Sequence, residues 1–283
     1  MASTRRTPAY TPIPARPSTP HPPTLGACGI KWLARYAKNP VRTGLPAWAG
    51  VYVLNDPDTG HPRAIMEASW ITDIRTAVVT ALTLHVLRPA GTERLAFLGF
   101  GAQGRSHVGA LPQLCPTLRT IRVYSRRPAV ARQQVAAMSP DCDVRVCLSV
   151  EEALAESDAV VSATPISQPP RHDVTATALP DGSAVVALDF DTTWHPSIFD
   201  RVAAFAVDDL AQYRLFQRER GFFAGYPTDA VELPELLSAG TRLPSDGLLY
   251  ANTLGMGLED LVVAQLAYRA AVELGIGTPL QLY

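Results

Sequence analysis

Between Arg94 and Leu111 the chain reads RLAFLGFGAQGRSHVGAL, and no other stretch restricts the fold as much. The apolar run Leu95–Leu98 reads as a parallel strand buried on both faces. Gly99-Phe100-Gly101-Ala102-Gln103-Gly104 follows, and a helix-like run continues to Leu111. A G-x-G-x-x-G set between a strand and a helix is the context that gives this motif meaning. The first glycine permits the turn, the second lets backbone amides come up to a pyrophosphate, and the third lets the helix lie close to the strand. Unpaired N–H groups at the helix start then present a positive end to phosphates. Gly99, Gly101, Ala102, Gln103 and Gly104 are therefore candidate cofactor contacts. The competing reading is a plain glycine-rich turn.

Beyond the motif, strand-like and helix-like segments alternate. Strands are expected over 120–124, 144–147, 159–163, 184–188 and 204–207, with helical segments over 129–138 and 150–156. This alternation predicts an α/β fold with a doubly wound parallel sheet. Ligands of such sheets bind beyond the carboxyl ends of the strands. Those ends are the glycine turn, Ser125–Arg127, Ala163–Pro165 and Asp189–Asp191. An NAD site usually places Asp or Glu about 20 residues after the glycines, for the ribose 2′-OH. Here Val123-Tyr124-Ser125-Arg126-Arg127-Pro128 holds no carboxylate. A hydroxyl and two guanidiniums, from Ser125, Arg126 and Arg127, suit a 2′-phosphate. NADP(H) is favoured on that ground, with NAD kept open and a solvated basic turn as the alternative. Ala163, Thr164 and Pro165 are assigned to the nicotinamide half of the cofactor.

Ahead of the motif, Gly29–Leu33 reads as a strand projecting Lys31. GVYVL (50–54) and PRAIM (62–66), joined by NDPDTG, read as a hairpin. A helix is expected over 72–87 with Thr72 as N-cap. At the other end, residues 252–260 lead into a long helix to about Leu274, and Pro279–Leu282 offer a final strand. Residues 1–24 are dense in Pro, Thr and Arg, and read as a disordered leader or an extended arm.

The length of 283 residues suits two domains. A net charge of −1 points away from nucleic acid and anionic membranes. No uninterrupted apolar run approaches the ~20 residues of a membrane span, and the N-terminus lacks a signal peptide's apolar core. The four cysteines form no C-x-x-C, and no histidine pair has metal-ligand spacing, so no metal is expected. Scattered thiols suit a reducing cytoplasm. A Cys142–Cys147 disulfide stands as the alternative to two free thiols.

Four segments in order resemble the ornithine cyclodeaminase/μ-crystallin family: Gly29-Ile30-Lys31 with Asn39 and Gly44-Leu45-Pro46; Ile71-Thr72-Asp73-Ile74-Arg75-Thr76-Ala77; GFGAQGRSH; and Thr253-Leu254-Gly255 with Glu259-Asp260. The likeness runs from about Gly29 to the C-terminus. It implies a Rossmann domain, residues 91–244, inserted in a second α+β domain for substrate binding and dimerisation, residues 25–90 with 245–283. It also implies a homodimer and a small amino or imino acid substrate. By resemblance, Lys31 and Arg75 bind the substrate carboxylate, and Asp191 aligns with the family's catalytic Asp. A guanidinium grips a carboxylate with paired hydrogen bonds, and a lysine near a C–N centre can relay a proton. The other readings are an exposed strand lysine and a helix-surface ion pair.

Two departures stand out. Around Asp191 the family's Gly, Pro and Lys are replaced, and Asp189 adds a second acid. In an extended chain the two acids face opposite sides, which favours Asp191 as the substrate-facing one. Trp194 is a candidate pocket wall, and His195 a surface residue or an acid-base group. The family's second carboxylate-binding Arg has no recognisable counterpart; Arg5, Arg6 and Arg16 are candidates. Catalysis is thus assigned to Lys31 and Asp191, and substrate binding to Arg75, Lys31 and Asp191. Three functions follow: an NAD(P)H-dependent reductase or dehydrogenase at the C=N/C–N bond of an α-imino or amino acid; an ornithine or lysine cyclodeaminase that recycles its cofactor; or a ligand-binding protein without turnover. The aromatic stretch Tyr213, Phe216, Phe222, Phe223 and Tyr226 is read as packing or as a lid.

Overall fold

The computed structural model describes residues 26–281, apart from 37, 89, 139, 240–242 and 245. The Pro-rich leader, with Arg5, Arg6 and Arg16, lies outside the described residues. The chain forms two compact units: the described residues up to Arg75 with those from Met256 on, and Thr76–Gly255. The first unit thus joins the two ends of the described chain around the second.

The first unit opens with β1 (Cys28–Arg35), α1 (Asn39–Arg42), β2 (Trp48–Asn55) and β3 (Pro62–Glu67). The three strands form an antiparallel sheet in the order β1-β2-β3, with Lys31 opposite Tyr52 and Tyr52 opposite Met66. The β2–β3 turn is held by Asp56, whose carboxylate accepts the N–H groups of Asp58 and Thr59. Helix α2 (Ala68–Leu87) starts four residues ahead of the expected Thr72 cap. Glu67 supplies the cap instead, accepting from the Ser69 and Trp70 amides at 2.7 and 2.6 Å. Thr72 sits one turn inside and donates back to the Ala68 carbonyl. By composition α2 is apolar enough to cross a membrane, but half of it is buried in the protein, as a core helix is.

The second half of α2 belongs to the second unit. Ala81, Leu84 and Leu87 pack with Leu95, Phe97 and Val108, within the unit that starts at Thr76. This unit contains β4 (Arg94–Leu98), α3 (Ala102–Leu114), β5 (Thr120–Tyr124), α4 (Pro128–Met138), β6 (Asp143–Cys147), α5 (Val150–Leu154), β7 (Ala159–Ser162), β8 (Ala184–Ala187), β9 (Val202–Val207), α6 (Leu210–Glu219), β10 (Val231–Glu232), α7 (Leu233–Ala239) and β11 (Leu248–Asn252). The eight strands form one sheet in the order β10-β9-β11-β8-β7-β4-β5-β6, and all of their pairings are parallel. Strand order reverses between β4 and β7, the place where such sheets take ligands. β11 is buried at every position and pairs with β8 and β9. This strand, unforeseen in the sequence, belongs to the second unit, which runs to Gly255.

Helix α8 (Gly257–Glu273) returns to the first unit, where Leu261 and Ala264 pack on Tyr52, Leu54 and Ile71. Residues 279–281 form no strand. All four cysteines are free. Tyr213, Phe223 and Tyr226 are core residues, which settles the aromatic stretch at those positions as packing.

Candidate functional site

At the end of β4, Gly99 adopts φ +103°, and a Cβ there would lie 2.6 Å from the Ala163 carbonyl oxygen. A Cβ on Gly104 would meet the Gly99 carbonyl at 2.8 Å. Gly101 differs: nothing lies within 4 Å of its Cβ position. It caps α3 with no side-chain hydrogen bond. The amides of the first turn, from Ala102 on, thus begin a helix whose first N–H groups have no intrahelical partner. Two glycines close the turn and the third keeps it open, as phosphate binding requires. Buried His107 anchors the helix: its Nδ1 meets the Gln103 carbonyl at 2.7 Å and its Nε2 the Thr80 hydroxyl at 2.9 Å.

The neighbouring strand end is tied to this turn, since the Gly99 amide donates to the Tyr124 carbonyl. There the Arg127 amide donates to Ser125 Oγ, shaping the loop. Arg126 and Arg127 are exposed, and among the described residues no carboxylate pairs with either. The residues present fit a dinucleotide, with two unengaged guanidiniums at the end of the strand next to the glycine turn.

At the ends of β7 and β8, Asp189 is 1% exposed and fully engaged. It accepts from Ser162 Oγ, the Thr164 amide and hydroxyl, and Thr193 Oγ1. Arg171 reaches in to Thr164 Oγ1 at 2.7 Å and to the Pro165 carbonyl at 3.2 Å. Thr164 is therefore part of a fixed network that sequence reasoning did not find. Asp191 is equally buried but less satisfied: Oδ2 accepts from the Phe223 amide at 2.6 Å, and Oδ1 has no hydrogen-bond partner. Burial pushes its carboxyl above the ordinary range, against the lowering effect of that amide and of His172. The two acids do not alternate along an extended chain as expected. Phe190 between them has φ +60°, and the Thr192 amide turns back to the Asp189 carbonyl. Trp194 is wholly buried, its Nε1 donating to Ser162 Oγ, so it is core and no pocket wall. His195 is exposed and caps the short helix Pro196–Asp200 through Nδ1.

In the first unit, the alternation of β1 turns Lys31 inward, and α2 presents Arg75. Glu259 and Asp260, in the first turn of α8, meet both. Lys31 Nζ lies 2.6 Å from Asp260 Oδ2 and donates to Thr72 Oγ1 at 3.4 Å. Arg75 Nη1 donates to Glu259 Oε2 at 2.9 Å, and its Nε lies 3.4 Å from Asp260 Oδ1, an ion pair without hydrogen-bond geometry. The four side chains are 5–14% exposed. Neither the exposed lysine nor the surface ion pair describes them. Burial lowers the Lys31 ammonium from its ordinary value against the pull of Asp260, and burial raises the Glu259 carboxyl against Arg75. Arg75 carries five donors and Lys31 three. Among the described residues no bond engages Arg75 Nη2. The quartet holds both cations in place and leaves some of their donors unengaged.

The parallel sheet, its order reversal and the open glycine turn define a Rossmann-type α/β protein built for a dinucleotide. The chain belongs to the ornithine cyclodeaminase/mu-crystallin family, whose profile matches residues 17–214. It is 27% identical to the Staphylococcus aureus N-((2S)-2-amino-2-carboxyethyl)-L-glutamate dehydrogenase over 90% of this chain and 78% of that one. It is 27% identical to the ketimine reductase mu-crystallin of Mus musculus over 80% and 71%. Its fold matches the Thermococcus litoralis Δ1-pyrroline-2-carboxylate reductase, solved with NADH and L-proline, with a TM-score of 0.77 at 23% identity, over 90% of this chain and 81% of that one.

Proposed function

We propose that this chain is an NAD(P)H-dependent oxidoreductase that acts on the C=N or C–N bond of an α-imino or α-amino acid. The observation that carries this reading is the buried Lys31–Arg75 pair, held by Glu259 and Asp260 with donors to spare. It fits the amino-acid and ketimine chemistry in the names of the two curated relatives. Arg75 grips the substrate carboxylate with its free edge, and Lys31 completes the clamp. Lys31 or Asp191 holds the proton that the nitrogen gains on reduction. The nicotinamide supplies the hydride when bound. Gly99, Gly101, Ala102, Gln103 and Gly104 would hold its pyrophosphate, and Ala163–Pro165 would flank the nicotinamide half.

The cofactor is NADP(H): Ser125, Arg126 and Arg127 offer a hydroxyl and two unpaired cations to a 2′-phosphate, and no acid stands there to favour a free ribose hydroxyl. The protein acts as a homodimer. The outer face of β1–β3 carries Trp32, Val51 and Ile65, each more than 40% exposed on adjoining strands, an apolar patch of the kind that marks an interface.

Cyclodeamination of ornithine or lysine is the second reading, supported by Asp191 at the position of the family's catalytic Asp. Stoichiometry separates the two. With pyrroline- or piperideine-2-carboxylate a reductase consumes one NADPH per product, whereas a cyclodeaminase releases ammonia from ornithine with no net change in cofactor. Failure of NADPH oxidation across a panel of cyclic imines and keto-acid-plus-amine pairs would overturn the reductase reading.

A further inference from the structure

Asp189 lies just beyond the carboxyl end of β8 and is 1% exposed. Taking a carboxylate out of water is costly, and an apolar side chain of similar volume often serves stability as well or better. This one ties two neighbouring strand ends together. Its donors are Ser162 Oγ at 2.6 Å, the Thr164 amide at 3.1 Å, the Thr164 hydroxyl at 2.6 Å and Thr193 Oγ1 at 2.6 Å. Ser162 is the last residue of β7, which pairs with β8, and Thr164 follows it closely. Trp194 Nε1 in turn donates to Ser162 Oγ at 3.0 Å. The carboxylate therefore gathers donors from the end of β7 and from the turn that follows β8.

Arg171 holds the same residue from the other side. A guanidinium only donates and a carboxylate only accepts. The Thr164 hydroxyl stands between Arg171 Nη2 at 2.7 Å and Asp189 Oδ2 at 2.6 Å, so its one proton is directed to Asp189. Arg171 Nη1 donates to the Pro165 carbonyl at 3.2 Å, and the Arg171 amide donates to the Thr192 carbonyl at 3.0 Å. Further along the same loop, the Ser167 amide donates to Thr192 Oγ1 and Gln168 Nε2 to the Arg220 carbonyl. Thr164 is thus pinned at its amide and its side chain. Pro165 is pinned at its carbonyl, with φ fixed by its ring. Between these points lies one polar group that is left over: among the described residues no hydrogen bond engages the Thr164 carbonyl.

We propose that Asp189 and Arg171 are positioning residues for the nicotinamide: they act through Thr164, whose carbonyl they hold in place as the acceptor for the carboxamide N–H. The inference rests on the reading that Ala163–Pro165 flank the nicotinamide half of the cofactor. A carbonyl whose peptide is fixed on both sides gives up little freedom when it is bonded, and affinity gains by that saving. Asp189 and Arg171 touch Thr164 and Pro165 rather than the cofactor, so their effect is confined to its nicotinamide end.

The test is binding to the full chain, read by titration calorimetry with three probes. They are NADPH, its 3-acetylpyridine analogue, in which a methyl ketone replaces the carboxamide and removes its N–H, and 2′-phospho-ADP-ribose, which lacks the nicotinamide. The wild type is expected to bind NADPH about fivefold more tightly than the analogue, the worth of one neutral hydrogen bond. D189N keeps the shape of the side chain and removes the charge that gathers the donors. There the preference for NADPH over the analogue is expected to disappear, while the Kd for 2′-phospho-ADP-ribose stays unchanged. R171Q removes both tethers from a side chain that is 28% exposed. It is expected to act in the same direction, and it carries the test should D189N not fold. A loss shared equally by NADPH and 2′-phospho-ADP-ribose marks a network that only maintains the fold and overturns the proposal. So does a preference that persists in the variants or is missing in the wild type. Nitrogen-15 NMR of the wild-type Thr164 amide, assigned with T164S, tests the underlying reading separately. A signal that moves with NADPH and not with 2′-phospho-ADP-ribose supports it. An equal response to both puts the nicotinamide elsewhere and takes the proposal with it, whereas an NADPH-specific response beside unchanged variants overturns the role of Asp189 and Arg171 alone.

Discussion

Replacing Asp260 by asparagine leaves the Lys31 ammonium without its 2.6 Å partner at a site where the lysine is 14% exposed. Removing one member of a buried pair typically costs about 3–5 kcal/mol. The structure also sets a ceiling. Lys31 can shed its proton, so the penalty at pH 7 cannot exceed about 1.4 kcal/mol for each unit below the ordinary value of 10.5, or about 5 kcal/mol. Thr72 and the Glu259 charge remain nearby, so the expected loss is about 3 kcal/mol at pH 7. The sign of the pH dependence follows from burial. Lys31 titrates lower in the folded state than in the unfolded chain, so stability rises with pH between those two values. Without Asp260 that window opens further downward, and the variant recovers on the way to alkaline pH more than the wild type does. By pH 9 the ceiling has fallen to about 2 kcal/mol. Urea unfolding followed by tryptophan fluorescence is the assay, because Trp32, Trp48 and Trp70 belong to the first unit and only Trp194 to the second. A deficit of equal size at both pH values, or one below about 1 kcal/mol as at an exposed pair, would refute the reasoning.

The remaining predictions concern the cofactor turn and the clamp. Gly101→Ala meets open space, so it should leave the melting temperature unchanged while weakening dinucleotide binding; Gly99→Ala, strained at φ +103° and 2.6 Å from a carbonyl, should lower stability by about 2 kcal/mol or more in thermal unfolding. Arg126→Ala should weaken NADPH binding by about tenfold or more and leave NADH nearly unchanged in titration calorimetry. Arg75→Gln should raise KM for the imino acid by at least about tenfold, since one charge-assisted pair is worth about 1.5–3 kcal/mol, without altering the Kd for NADPH.

The second unit was legible wherever the signal was local. The run from Leu95 to Gly104 states its strand, turn and helix start within ten positions, and the close approach of Gly99 to Ala163 is what its missing side chain serves. What escaped was non-local. LLYAN becomes a buried strand only because β8 and β9, more than forty residues upstream, lie on either side of it. Thr72 reads as the start of α2 because threonine is a common cap, whereas the capping group is the carboxylate of Glu67, a residue that reads as the end of a strand. Glu259 and Asp260 were visible as a motif, but their work on Lys31 and Arg75 depends on contacts across about 180 and 230 positions of sequence. Strand periodicity sets Asp189 and Asp191 on opposite sides, and a positive φ at Phe190 cancels that alternation.

In the proposed reaction a hydride passes from the cofactor to the α-carbon of a carboxylate-bearing imine. NADPH deuterated at its hydride-donating carbon, incubated with the purified protein and pyrroline- or piperideine-2-carboxylate, tests it by mass spectrometry of the amino acid formed. One deuterium is expected at the α-carbon of the product, and at subsaturating imine Arg75→Gln should form that product at least about tenfold more slowly. Unlabelled product, or none from any imine of the panel, would contradict it.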